Sequence, residues 1–320
     1  QTTIGENHVS YFDEEGWLYF TKQRFDLFYP SYGDTWPTFN GAIGMTYEQA
    51  GHSLAGAAVI TEDGDTLTLN DRLTHHTVTG LSTVEVTAEN ADRVVSEFES
   101  HFNSAVENPA GQYKTYVVKG DNDPDKIHDL LTFLDNQQIR YGRAGDSERT
   151  EGFNYQTRET ERSTVEEGDI LISAYQPQSQ LARVFFEPDP ALSDSLTYDI
   201  TAWEAHYRFG LAGFATERRI EPEEEVSPAD FLDPEYSGAD APYAYIAKWG
   251  TMHDARFLAD ITKHDVNSRF STVPFEIDGR EYGRGTLVIT RAGNRHLGDR
   301  FDEIVREAAD NHGRSLYGAV

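Results

Sequence analysis

Glu48 is the side chain that its neighbours place best for chemistry. It closes the glycine-flanked apolar run Gly41-Ala-Ile-Gly-Met-Thr-Tyr-Glu48-Gln-Ala-Gly51. Glycine permits positive φ and close backbone approach, so this run predicts a buried strand that ends in a crowded pocket. A carboxylate on a rigid strand with apolar surroundings has a raised proton affinity and suits general-base work on water. The plainer alternative is a capping or ion-pairing glutamate at a strand end. Just upstream, Phe25-Asp-Leu-Phe-Tyr29-Pro-Ser-Tyr32-Gly-Asp-Thr-Trp36-Pro supplies an aromatic-rich loop.

Histidines offer less. His75 and His76 are adjacent, and adjacent helical residues diverge by about 100°, so one metal rarely uses both. Glu48 and His52 are spaced i, i+4, but Gly51 argues against a helix there. His253-Asp254 and His264-Asp265 bracket a helix candidate and read as surface histidines. The chain has no cysteine, which excludes disulfides, thiolate metal sites and cysteine nucleophiles. It has neither His-x-x-Glu nor His-x-x-x-His, so no spacing amounts to a zinc signature and no metal ligand is assigned. Gly283-Arg-Gly285 is too short, and follows the wrong element, to be a dinucleotide fingerprint. No nucleophile elbow or triad supports an independent hydrolase in the later part of the chain.

Composition narrows the class. The 320 residues can bury a sizeable core and predict two domains. The formal net charge is −28, from 55 acidic and 27 basic residues. Lysine is confined to Lys22, Lys114, Lys119, Lys126, Lys248 and Lys263. Evenly spread acid with arginine preferred over lysine resembles a protein of a salt-in halophile, whose hydrated carboxylates keep it soluble when salt screens repulsion. An ordinary acidic secreted protein is the alternative. No basic stripe exists to neutralise phosphates, which argues against a nucleic-acid partner. The apolar runs fall short of the ~20 residues that a membrane span needs.

The elements that must position these residues follow from periodicity. Residues 1–51 read as helix, aromatic loop and buried strand. Trp17, Phe20, Arg24, Phe25 and Phe28 recur at near-helical spacing and read as core. Glu62-Asp63-Gly64-Asp65 is a tight turn. Asn70-Asp71 precedes a polar helix with His75 and His76. Thr87 to Asn90 opens an amphipathic helix with Val94, Val95, Phe98, Phe102 and Val106 on one face, and Asn108-Pro109-Ala110-Gly111 ends it. A domain boundary is placed there. Beyond it come a strand at 113–118, a helix through Ile127, Leu130, Leu131 and Leu134, and a strand at 138–141, a βαβ unit. Residues 153–162 suggest a hairpin, and Asp169 to Ser173 a buried strand. A second βαβ runs from 243 to 271, followed by a strand at 285–289 and a helix at 300–309. Pro222 to Asp240 reads as a surface loop.

Thr46-Tyr47-Glu48 behind Tyr-x-x-x-Gly-Asp-x-Trp resembles the end of a peptidase domain in the M14-type zinc carboxypeptidases. The resemblance covers roughly residues 1–108 and implies the C-terminal part of a mixed-sheet α/β peptidase domain. It implies that Glu48 activates zinc-bound water and that an upstream tyrosine reaches the substrate. Tyr29 matches the family loop better, and Tyr32 stays open. Gly33, Asp34 and Thr46 fall where a specificity pocket would be lined. Arg24 matches no carboxylate clamp. The family's zinc ligands precede the glutamate by a long stretch, so zinc would be held by sequence upstream of Gln1. Residues 113–320 resemble the glutamine-amidotransferase-like domain that trails the peptidase in a large subgroup, through Gln176-Pro177, Tyr198 to Trp203 and Gly283 to Ile289. That implies a Rossmann-like α/β domain, here without the cysteine that amidotransfer needs. The implied function is secreted, zinc-dependent removal of residues from the C-termini of peptide or protein substrates. The alternative is a non-catalytic binding or scaffold module that keeps the Glu48 motif for packing.

Overall fold

A computed structural model describes residues 1–21, 29–49, 56–190 and 202–320. The chain is mixed α/β and divides into two compact units. The first contains Gln1–Lys119, Gln138–Arg208 and Ala212–Glu224; the second contains Gly120–Gln137, Phe209–Leu211 and Glu225–Val320. The division therefore does not fall at the single boundary expected near 108–113, because the chain passes between the units several times.

The first unit begins with the helix Thr2–Glu15, ended by Gly16 in the left-handed conformation. It packs on the helix Leu69–Glu89, where the Asn7 side-chain amide donates to Ser82 Oγ (2.8 Å) and the Tyr11 hydroxyl donates to Glu85 (2.8 Å). That second helix starts at a capping box. The Asp71 amide donates to Thr68 Oγ1, and the Thr68 amide donates back to the Asp71 carboxylate, which satisfies otherwise orphaned backbone groups. Trp17 and Phe20 lie outside any helix, and Phe20 is exposed. Arg24, Phe25 and Phe28 lie outside the described residues. The amphipathic helix occupies Ala91–Glu107, after a break at Asn90, yet Val95, Phe98 and Val106 on its apolar face are exposed.

Two sheets carry the cores. In the first unit the fully buried strand Thr115–Val118 lies between Ile170–Ser173 and Gly213–Thr216, with Gly142–Arg143 beyond Ile170–Ser173. In the second, Ala244–Ala247 lies between Leu287–Thr290 and Leu316–Ala319, with Arg269–Phe270 beyond Leu287–Thr290. All these neighbours are antiparallel, and their registers correspond. Thr115 faces Ser173 and Thr216, as Ala244 faces Thr290 and Ala319; Val118 faces Ile170, as Ala247 faces Leu287.

The turns repeat as well. Ala144 N–H donates to Asp169 O and Gly168 N–H to Ala144 O; Ser271 N–H donates to Thr286 O and Gly285 N–H to Ser271 O. Gly168 and Gly285 have φ of 89° and 88°, a conformation strained for any residue with a Cβ. Among the described residues each half also runs strand, helix, short strand, hairpin, strand, helix, strand, with the short helix Ala205–Phe209 added before the last strand of the first half. The chain thus contains an internal structural duplication.

This architecture corrects the Rossmann-like, amidotransferase-like expectation for 113–320. Such a fold needs neighbouring parallel strands. Among the described residues, the one parallel pair is Leu316–Ala319 with Tyr236–Gly238. The first expected βαβ ends on Gly142–Arg143 rather than 138–141. In both cases the strands either side of the helix run parallel, but an antiparallel strand that comes later in the sequence separates them. Gln176 is a buried clamp: its amide donates to the Ser173 and Arg140 carbonyls and accepts from the Arg140 amide. Tyr198 to Thr201 lie outside the described residues.

Candidate functional site

The predicted strand at Gly41–Glu48 is absent; residues 43–49 form a ribbon without ladder hydrogen bonds. Glycine is nevertheless needed at position 44, where a Cβ would lie 1.7 Å from the Asp34 carbonyl oxygen. The ribbon there meets the short helix Thr35–Phe39, and Gly44 N–H donates to Thr38 Oγ1 (3.2 Å). Close backbone approach was the correct reason for glycine, though not inside a sheet.

Burial alternates along this ribbon. Tyr47 is half-buried; its hydroxyl bonds Thr83 Oγ1 at 2.8 Å, and its ring meets His8 edge-on at 4.9 Å. Gln49 Oε1 lies 3.1 Å from His75 Nδ1. Thr46 and Glu48, on the other side of the alternation, are exposed. The crowded pocket expected around Glu48 is therefore not present among the described residues, because the inward anchors are Tyr47 and Gln49. Thr46 is braced by donating its hydroxyl to Asp34 Oδ2 at 2.5 Å.

The loop before it holds both candidate tyrosines. Thr35 is fully buried; its hydroxyl donates to the Tyr29 carbonyl (2.6 Å) and accepts from the Tyr32 amide (3.1 Å). The two rings meet edge-to-face at 5.2 Å, and Tyr29 also meets Trp203 at 5.7 Å. Tyr29 thus packs on both Tyr32 and Trp203, while Trp36 is exposed. Tyr29, Tyr32, Asp34 and Thr46 are thus tied into one hydrogen-bonded segment, with Glu48 two residues beyond it.

His75 and His76 diverge as helical geometry requires. His75 is buried against Phe12 and Trp17, and burial lowers its pKa; His76 is exposed. His52 lies outside the described residues.

A second constellation lies wholly within the second unit. Among the described residues, one group of His, Asp or Glu side chains converges as metal ligands would: His128, Asp129 and His253, with ligand atoms within 4.8 Å of one another. His128 and Asp129 come from the helix Pro124–Asn136, started by the Asp123 side chain, and His253 from the first turn of Met252–Lys263. Contrary to the surface reading, His253 is buried, at 4% exposure. Its Nδ1 lies 3.3 Å from the His312 carbonyl and its Nε2 lies 3.0 Å from Asp129 Oδ1. His128 Nδ1 is 3.5 Å from the same carboxylate oxygen, is buried, and has no hydrogen-bond partner.

An ion network fixes the two helices around it. Arg314 bonds Asp125 and, at 3.0 Å, Asp254, while Thr251 Oγ1 donates to Asp125 at 2.7 Å. Burial alone would lower the Arg314 pKa, but the two carboxylates outweigh it and raise it. His128, His253, Arg256, Asp310 and His312 line a cleft of about 340 Å³. Sequence spacing does not disclose this group, because His253 lies 124 residues beyond Asp129 and the adjacent His128-Asp129 pair matches no motif.

No protein-family model, no curated protein and no solved structure matches the chain.

Proposed function

We propose that this chain is part of a zinc-dependent metallocarboxypeptidase and supplies its general base, Glu48. The observation that supports this reading most is the presentation of Glu48. It stands outward on a ribbon anchored from behind by Tyr47 and Gln49, beside Thr46 and its Asp34 brace. A carboxylate so held can accept a proton from an attacking water and return it to the leaving amine. Thr46, Tyr29 and Tyr32 would contact the peptide or protein substrate. Among the described residues of the first unit, no set of metal ligands converges beside Glu48. The described residues therefore do not by themselves fit a zinc ion at that point, and the reading needs ligands from elsewhere. Secretion and a salt-rich setting are parts of the same proposal. No helix among the described residues is long and apolar enough to cross a membrane.

Glu48→Gln tests the reading in the complete gene product, with peptides bearing free or amidated C-termini followed by mass spectrometry. The expected result is stepwise loss of C-terminal residues from free termini only, slowed roughly 10²–10⁴-fold by the substitution, with an unchanged thermal midpoint. Undiminished turnover would sink the proposal. Loss of stability alone would favour the non-catalytic scaffold, for which the packing of Tyr47 and Gln49 is the whole purpose of the ribbon.

A further inference from the structure

We infer that His128, Asp129 and His253 form a divalent transition-metal site in the second unit, open to the adjoining cleft. This inference is independent of the Glu48 proposal. It starts from the hydrogen bonding of His253. A carbonyl oxygen can only accept, so the bond to His312 O places a proton on Nδ1. The other ring nitrogen then faces a carboxylate oxygen at 3.0 Å. Without a cation between them, lone pair would oppose lone pair. A proton on Nε2 would satisfy that contact but leave the buried Nδ1 of His128 without a partner. A metal ion satisfies all three groups at once.

The spacing suits such an ion. Metal–ligand bonds of about 2.0–2.1 Å in a tetrahedron imply ligand-to-ligand edges of about 3.3 Å. His128 and Asp129 are helix neighbours, an arrangement one metal rarely uses. Their side chains nevertheless turn towards each other, and the two edges at Asp129 Oδ1 are 3.0 and 3.5 Å. The histidine rings lie 5.1 Å apart, edge to face, and their ligand atoms lie within 4.8 Å, a third edge that contracts as an ion binds. The Nδ1–H to carbonyl bond is the outer contact that commonly orients a metal-bound histidine. Two imidazoles and one carboxylate suit zinc, cobalt or nickel rather than calcium or magnesium. The cleft leaves space for water at the remaining positions. Asp310 also lines it, and Arg256 supplies a positive charge suited to an anionic group on a ligand that replaces that water.

Cobalt(II) titration of the intact, chelator-stripped protein is the test, read by visible absorption and elemental analysis. The expected result is one cobalt per chain, displaced by zinc. His128→Asn should weaken binding by more than about 100-fold, since even an outer-sphere partner commonly accounts for 10–100-fold. His264→Gln, at an exposed histidine after the same helix as His253, should bind as the parent does. No stoichiometric cobalt, or unchanged affinity in His128→Asn, would overturn the site. If that variant does not fold, diethylpyrocarbonate modification of the parent protein decides. Protection of His128 and His253 by zinc supports the site, and equal modification with and without zinc overturns it.

Discussion

The two halves of the duplication share backbone register yet stabilise the same turn by different chemistry. In the first half Lys119 Nζ lies 2.6 Å from Asp169 Oδ2, and Asp169 is only 2% exposed. The corresponding positions in the second half are Lys248, which is exposed, and Thr286, whose hydroxyl donates to the Gly283 carbonyl. The central tyrosines differ too. Tyr116 stacks on Phe186, whereas the Tyr245 hydroxyl donates to Asp302 and accepts from Arg306. Backbone pairing and glycine-assisted turns therefore suffice to define this sheet, while side-chain pairs are local choices. The edges diverge for the same reason. The first half extends its sheet with the hairpin Glu148–Asn154 and Glu159–Val165; the second adds Tyr236–Gly238 and keeps its hairpin as a separate two-stranded sheet.

Replacing Asp169 with Thr makes the first turn resemble the second and should produce the largest loss. It leaves the half-buried Lys119 without its nearest carboxylate, at about 2 kcal/mol after allowance for the lysine's partial exposure. Urea unfolding would show it, and a loss below about 0.5 kcal/mol would mean that the pair is dispensable. Next come the paired glycines. Gly168→Ala meets nothing within 4 Å and carries only backbone strain, about 1 kcal/mol. Gly285→Ala has the same strain, and its Cβ would also lie 2.8 Å from Trp249 Cδ1, so its thermal midpoint should fall further. Equal losses would refute that distinction.

The smallest effect concerns acid. Burial raises the Asp302 pKa, but hydrogen bonds from Arg291 and Tyr245 outweigh it and hold the carboxyl below its ordinary range. Its stabilising contribution is thus present above the unfolded carboxyl pKa of about 3.9 and is lost as pH falls through the lower folded value. Asp302→Asn should flatten the acid limb of stability below about pH 4. An unchanged acid limb would show that the Arg291–Asp302 pair contributes nothing.

Element types were legible where a pattern had one physical cause. Ile127, Leu130, Leu131 and Leu134 are all fully buried on one helical face, and Ile170 to Ser173 is a buried strand. Neighbour relations were not legible. A strand, helix, strand series reads as two adjacent parallel strands, and nothing local announces that Ile170–Ser173 will insert between them. The duplication was hidden for a related reason. Gly168-Asp169-Ile-Leu-Ile and Gly285-Thr286-Leu-Val-Ile share φ and register, but share few side chains. At the candidate sites, Gly44 was correctly read as a close approach, whereas Glu48 was expected to face inward and it is Tyr47 and Gln49 that do so. His253 looked exposed because its partners, Asp129 and the His312 carbonyl, are remote in sequence.

The helix Pro124–Asn136 follows the first strand of one sheet but belongs to the compact unit built around the other. On the ribosome it emerges well before Ala244–Ala247 and the rest of that sheet exist. The compact unit that the helix joins is therefore completed only when those later strands are synthesised. No single peptide-bond cleavage separates the two units into complete pieces. Proteolytic nicking between them should leave fragments that co-migrate until a denaturant is added.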